Sequence, residues 1–477
     1  MSFNRHRMTG TLVLDTPMHI GTGIRELRDD GKASVSDIEL DAAGNPYVTG
    51  SALKGIIRDG LHNSMPGDLH EAFKALFGVP PANAGPDEKG QSTGGKAHFC
   101  DAFIIEADGQ ETNSFEDTAT AINEKTGAAK TAHLRTHKLV PSGSRFAFEI
   151  ILDNVSEDDL EILAAIQRFL QDSGNATIGA STRFGLGRIR LESPKLEYAD
   201  AASIVDWLKR DDISSWRDSL VFQAKTATWS NQIWNLSDEV HSAHVALNFD
   251  GFMLTQAGAR EERPGQLSER AVPLRYDDEY VLTGRSIIGV LRARARRICA
   301  TLFDGDPEDL SLFRELFGET GYSGALQADV FKAVGLCETY DHEMVAIDRF
   351  TGGGKAGAKF TNQVLVSPRF EGHLRLRVSG KANNELSGKS SDKSRPHLSD
   401  AAFGLLIFVL RDLIEGDLTF GSGATKGYGA LKCVEIDSAT PGSLFADILN
   451  PGSSVSLRTQ AEAFLTSTQT VEAANGE

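Results

Sequence analysis

The chain has 477 residues, of which 40% are hydrophobic and 24% charged, a composition that excludes disorder or collagen for its bulk. That length suits two or three domains, each large enough to bury a core without disulfides or metals. Lys+Arg 49 against Asp+Glu 66 gives a formal charge of -17, which excludes nucleic-acid binding through bulk charge and requires any such site to be a local basic surface. Four separated cysteines (Cys100, Cys299, Cys337, Cys433) form no CxxC pair, so neither a zinc site nor a disulfide framework is expected, and the setting is read as reducing and cytoplasmic. No signal-peptide pattern and no run of about 20 apolar residues is present, so no membrane partner is expected.

Taken in chain order, the sequence repeats itself. A strand-like stretch ending in a glycine loop, TLVLDTPMHIGTG at 11–23, returns as HVALNFDGFMLTQAG at 244–258. An apolar strand running through Thr-Gly into a helix, PYVTGSALKGIIR at 46–58, returns as YVLTGRSIIGVLR at 280–292. LFG at 76–78 matches 316–318, and AHFCDA at 97–102 matches ALQADV at 325–330. INEKTG at 122–127 matches IDRFTG at 347–352, each opening a Gly-, Ala- and Lys-rich segment that reads as a basic hairpin. Finally IGASTRFGLG at 178–187 matches FGSGATKGYG at 420–429. One order shared by six motifs makes the chain two copies of one domain. The expected organisation is a first domain at 1–195, a connector at 196–240 holding all four tryptophans, a second domain at 241–436, and an acidic, partly disordered tail at 437–477.

Each motif has a chemical reading. Thr49 or Ser51 caps a helix whose first-turn N–H groups attract anions, while Lys54 and Arg58 share one face. In the second copy Arg285, Arg292, Arg294, Arg296 and Arg297 put five bases and no acid between 285 and 297, and phosphate is their simplest partner. Arg183, Gly185 and Gly187, and Lys426, Gly427 and Gly429, combine cations with glycines that allow close approach of a polyanion. Tight turns are the equally simple alternative. Arg349, Lys355 and Lys359, with Lys125, Lys130, Arg135 and Lys138 in the first copy, are bases of the hairpins, solvated surface-loop lysines being the equal alternative. His19, within the first strand motif, reads as a packed or hydrogen-bonded residue rather than a general base.

As a set, Gly21-Thr-Gly23, the Thr49 to Gly55 helix start, IDRFTG at 347–352 and the late glycine loops resemble the RAMP superfamily. Within it they resemble fused double-domain backbone subunits of type III, III-D-like, CRISPR effector complexes. The resemblance implies an α+β fold of two tandem modified ferredoxin-like (RRM-like) domains, each with a thumb-like hairpin. It further implies a palm that holds guide RNA, thumbs that interrupt the guide–target duplex, and target RNA and other effector subunits as partners. Lys54, Arg58, Arg183, Arg285, Arg292, Arg349, Lys355, Lys426 and the glycine loops would then be the RNA-binding residues.

Active members of that family place an aspartate in the loop after the first glycine motif, where it supports target cleavage with Mg²⁺ or Mn²⁺. Here that loop offers Asp29, Asp30 and Asp37, with Asp30 and Asp37 as the metal-ligand candidates. The second loop has no aspartate, and Glu269 stands nearest the family position. The first half is therefore expected to be the nuclease and the second weak or inactive. A non-catalytic RNA-binding scaffold and a CRISPR-RNA-processing endoribonuclease are the alternative readings.

Overall fold

The structure is a computed structural model. It describes residues 3–27, 34–62, 65–79, 93–105, 114–123, 129–171, 176–210, 216–224, 239–262, 269–303, 305–319, 322–378, 398–437, 445, 459 and 462–466.

In the first repeat the chain runs β1 (Asn4–Leu14), β2 (Gly21–Leu27), β3 (Ser34–Ile38), β4 (Tyr47–Val48), α1 (Gly50–His62), α2 (His70–Phe77), β5 (Ala97–Phe99), β6 (Ala102–Phe103), β7 (Phe115–Ile122), β8 (Ala129–Leu139), β9 (Arg145–Asp153), α3 (Glu157–Gln171) and β10 (Ile189–Asp200). The connector adds α4 (Ala201–Leu208), α5 (Trp216–Ser219) and β11 (Gln223–Ala224). The main sheet has the order β11-β10-β1-β9-β5, so β1-α1-β5-β9-α3-β10 is a ferredoxin-like βαββαβ path with β1 between β9 and β10. Leu53, Ile57 and Leu61 recur every fourth residue of α1 and are buried, as are Ile162, Ile166 and Phe169 of α3. Both stripes close on Leu12, Phe146 and Ile150 of the sheet.

The second repeat continues with β12 (Glu239–Asp250), β13 (Phe252–Met253), β14 (Gln256–Glu262), β15 (Glu269–Pro273), β16 (Arg275–Tyr276), β17 (Glu279–Leu282), α6 (Gly284–Leu302), α7 (Ser311–Phe317), β18 (Leu326–Ala328), β19 (Phe331–Val334), β20 (Thr339–Ile347), β21 (Gly354–Val366), β22 (Arg369–Val378), α8 (Asp400–Ile414) and β23 (Ala430–Asp437). β12 lies between β22 and β23 as β1 lies between β9 and β10. Both central strands slip register against their last strand, at Thr9/Thr11 and at Asn248/Phe249. Ile287, Leu291, Ala295 and Cys299 form the buried stripe of α6 against Phe331, Phe370 and Leu406. The fold is therefore α+β, with two copies of the ferredoxin-like domain.

The compact units do not follow the sequence repeats throughout. One holds 1–116, 136–182 and 186–237; the other holds 117–135, 183–185 and 238–477. Part of the first hairpin and the tip of the first glycine loop thus fold with the second repeat. In the connector, Trp207 Nε1 donates to Ser219 Oγ at 2.8 Å, and the Arg5 guanidinium lies 4.8 Å from the Trp216 ring. Trp229 and Trp234 lie outside the described residues. Beyond 437, Phe445 and Phe464 are buried in the second unit's core, Phe464 against Phe303 and Phe408. Among the described residues no cysteine forms a disulfide, and burial pushes the Cys299 thiol up to about 12. Among the described residues no helix is long and apolar enough to cross a membrane.

Candidate nucleic-acid interface

The helix starts are capped from within the chain. Gly50 N–H donates to Asp101 Oδ1 at 2.7 Å and Ala52 N–H to Thr49 Oγ1 at 3.3 Å, while Ser286 N–H donates to Thr283 Oγ1 at 3.3 Å. What remains open on α1 is its side: Lys54 and Arg58, one turn apart and half-buried, have no hydrogen-bond or ion-pair partner among the described residues.

The arginine cluster of α6 is different from its sequence reading. Arg285 pairs with Asp117, Arg292 with Glu308, Arg294 with Asp412 and Asp417, and Arg296 with Asp306 and Glu308. Among the described residues, Arg297 is the one of the five that is exposed and has no ion-pair partner. The cluster's counter-charges are carboxylates outside the 285–297 stretch, from Asp306 and Glu308 just after the helix to Asp117, Asp412 and Asp417 far along the chain, so phosphate is not needed to explain it. Asp117 is 1% exposed, and burial lowers the Arg285 pKa.

Arg183 is likewise committed. Its Nε donates to the Leu326 carbonyl at 3.0 Å and Nη1 to the Phe317 carbonyl, at the C-terminal end of α7 where orphan carbonyls favour a cation. Burial, and then the neighbouring Arg292, lower its pKa to about 10. Gly185 is closed in by the Asp329 and Val330 backbone. Gly187 and Gly429 have φ near +70°, and a Cβ there would run into the Ile178 and Phe420 carbonyls, so they are required by a tight backbone crossing. Gly427 is different: it has φ +79° with open space where a Cβ would be, beside Lys426, whose Nζ lies 4.4 Å from the Phe360 ring.

The second hairpin, β20 with β21, is paired from Thr339↔Leu365 to Ile347↔Gly354. Its turn is organised by Asp348, whose carboxylate accepts the Phe350 and Thr351 N–H groups at 2.9 Å each and is lowered in pKa by them. Phe350 is fully exposed, and Arg349 and Lys355 are exposed with no partner among the described residues. Lys130 and Arg135 of β8 are also exposed with no partner among the described residues, whereas Lys125 lies outside them.

Of the candidate catalytic acids, Asp29 and Asp30 lie outside the described residues, and Glu269 is described only as backbone, opposite Glu262. Asp37 closes β3 at the base of the β2–β3 hairpin. Its Oδ1 accepts Lys138 Nζ at 3.0 Å and the Ile38 N–H at 2.8 Å. Partial burial works to raise its pKa, but the Lys138 and Ile38 bonds and the Lys138 and His19 charges outweigh it, leaving Asp37 below the usual carboxylate range. His19, 4% exposed, donates through Nδ1 to the Lys138 carbonyl at 2.8 Å, leaving Nε2 3.3 Å from Ser36 Oγ. His137 meets the His19 ring edge-on at 5.0 Å.

His19 is buried and hydrogen-bonded as its sequence reading has it, but its grouping with Asp37 and Lys138, the latter read as a hairpin base, is not visible in the sequence. Comparing the repeats position by position is the signal that exposes it. Ala180 N–H bonds the His19 carbonyl as Ser422 N–H bonds that of Leu254. Gly21↔Ile38 corresponds to Gln256↔Pro273, and the parallel pair Val35↔Thr136 to Arg270↔Thr361. His19, Ser36, Asp37, His137 and Lys138 are thus replaced by Leu254, Ala271, Val272, Asn362 and Gln363. There, Leu254, Ala271, Val364 and the 1%-exposed Tyr428 pack as an apolar cluster.

The described residues do not make a magnesium or manganese site at Asp37, which stands without a second carboxylate and is already paired with an ammonium. The acids close enough to share a cation among the described residues are Asp412, Glu415 and Asp417, where Arg294 already bonds Asp412 and Asp417.

The chain is 25% identical over 204 residues to the CRISPR system Cms endoribonuclease Csm3 of Methanocaldococcus jannaschii, an alignment covering 40% of this chain and 79% of that protein. The family model of the RAMP superfamily matches twice, at residues 11–190 and 240–432, well over half of the chain. With the duplicated ferredoxin-like path and the repeated glycine loops, these two matches identify the chain as a member of the RAMP superfamily.

Proposed function

We propose that this chain is a double-domain backbone subunit of a type III CRISPR ribonucleoprotein, holding guide RNA along both repeats and cutting complementary target RNA from its first repeat. The observation that carries this reading is the separation of two kinds of cation on a duplicated family fold. Arg183, Arg285 and Arg292 are spent on internal carbonyls and carboxylates. Lys54, Arg58, Lys130, Arg135, Arg349 and Lys355 have no such partner among the described residues and serve a phosphate backbone of low positional demand. The similarity to a protein named as a CRISPR endoribonuclease supports the substrate class. The polar group at His19, Asp37 and Lys138, without a counterpart in the second repeat, supports assigning cleavage to the first.

The test assembles the complex with guide RNA and adds labelled complementary target in Mg²⁺, Mn²⁺ or EDTA. Wild type is compared with Asp30→Ala and Asp37→Ala. Loss of one metal-dependent cut in either variant, with target binding intact, supports the reading. Absence of any cut assigned to this subunit makes it a scaffold, and cleavage of precursor RNA by the isolated chain makes it a processing enzyme.

A further inference from the structure

We infer that Lys138 is the cation that balances charge at the scissile phosphate, and that Asp37 and His19 are positioning residues that hold it. This rests on the first repeat being the one that cuts.

Three observations carry it. First, Lys138 is fixed at both ends. Its ammonium is tied to Asp37 Oδ1, and its carbonyl accepts from His19 Nδ1. His19 in turn has its carbonyl bonded by Ala180 N–H, between Met18 and Val140 paired across two further hydrogen bonds. The carbonyl bond fixes where the side chain starts and the ion pair where its ammonium rests, which reduces the rotamer freedom left for a ligand to remove.

Second, the ammonium keeps access. The Lys138 side chain is 31% exposed and Asp37 18%, and the ammonium has three donors, so its bond to Asp37 leaves donors for a phosphate oxygen without displacing the carboxylate.

Third, the fold does not require the arrangement. A buried histidine and a half-buried ion pair are expensive relative to apolar packing. The second repeat builds the same strands with Leu254, Val272 and Gln363 in their place. A costly set retained in one copy and absent from a structurally equivalent one marks function rather than folding.

In the reaction, the RNA 2′-oxygen forms a bond to the adjacent phosphorus and the P–O5′ bond breaks, its electron pair going to O5′. The 2′-hydroxyl proton leaves to hydroxide from solvent, and water protonates O5′, giving a 2′,3′-cyclic phosphate and a 5′-hydroxyl. Lys138 keeps its proton throughout and offsets the extra negative charge on the phosphoryl oxygens.

The experiment measures single-turnover cleavage in the assembled complex at saturating guide and target. Lys138→Met is expected to slow the first-repeat cut by about 100-fold, the loss of one preorganised donor, with target affinity unchanged. Lys138→Arg is expected to stay within about tenfold of wild type. If Asp37 acts through Lys138, Asp37→Asn/Lys138→Met cuts no more slowly than Lys138→Met alone. Melting curves of each assembled variant confirm folding. If wild type cuts and Lys138→Met cuts equally fast, or only binds target more weakly, the inference fails while the proposed function stands. If the double variant is slower than both singles, Asp37 acts on its own account and the positioning assignment fails. If the wild-type complex makes no such cut, the proposed function fails and this inference with it.

Discussion

The same three-strand crossing occurs twice in this chain with opposite contents. In the first repeat it holds His19, Ser36, Asp37, His137 and Lys138, joined by hydrogen bonds and an ion pair. In the second it holds Leu254, Ala271 and Val364 around Tyr428, whose hydroxyl lies 2.6 Å from His342 Nδ1. The backbone bonds that build the crossing are the same in both, so the scaffold tolerates either filling. Side chains at one place of a duplicated fold can diverge in chemistry without altering the strands that present them.

The sharpest way to break that comparison is to move chemistry between the copies. Val272→Asp puts a carboxylate at a position 8% exposed and without its lysine, and is expected to destabilise the second unit by about 3 kcal/mol in denaturant unfolding. Adding Gln363→Lys should recover part of that loss; no recovery would show that the two crossings are not equivalent. Leu254→Ala should cost about 3 kcal/mol by opening a cavity beside Tyr428, whereas His19→Leu in the first repeat should fold and lose cleavage, read by melting and by the target assay. Lys54→Ala/Arg58→Ala should leave stability unchanged while weakening guide RNA about tenfold and flattening the salt dependence by one to two units of log–log slope, measured at several salt concentrations. Tyr428→Phe should cost about 1 kcal/mol for the lost His342 bond.

The pH response separates the crossings again, more gently. Asp37 titrates below its unfolded value, so its contribution is fully present above about pH 4 and is lost as pH falls through the lowered folded pKa. Asp37→Asn should remove that part of the acid-side decline in unfolding free energy, and Val272→Ala in the second repeat should leave the decline unchanged.

Much of the architecture was legible because a duplicated motif order is a strong signal and helix stripes such as Leu53, Ile57 and Leu61 follow directly from spacing. The arginines of α6 were read as needing phosphate because their partners lie outside the counted stretch: Asp306 and Glu308 beyond the helix end, and Asp117, Asp412 and Asp417 more than a hundred residues away. Local charge counting cannot see such pairing. His19 and Lys138 are separated by 118 intervening residues and meet through a carbonyl, a bond that residue type does not announce. The late glycines were ambiguous for the opposite reason. Gly187 and Gly429 answer a backbone crossing, while Gly427 stands in open space, and their one-letter pattern is the same.

The division of the chain into units also bears on how it is made. Residues 117–135 and 183–185 are synthesised with the first repeat but belong to the second unit, where Asp117 becomes the buried partner of Arg285. A ribosome delivers that aspartate 168 residues before the arginine. A chain stopped in the connector would therefore carry Asp117 with no arginine to receive it, and Arg183 without the Leu326 and Phe317 carbonyls. The fusion of two copies into one polypeptide guarantees the missing half at high local concentration, which a pair of separately translated domains would have to find by diffusion.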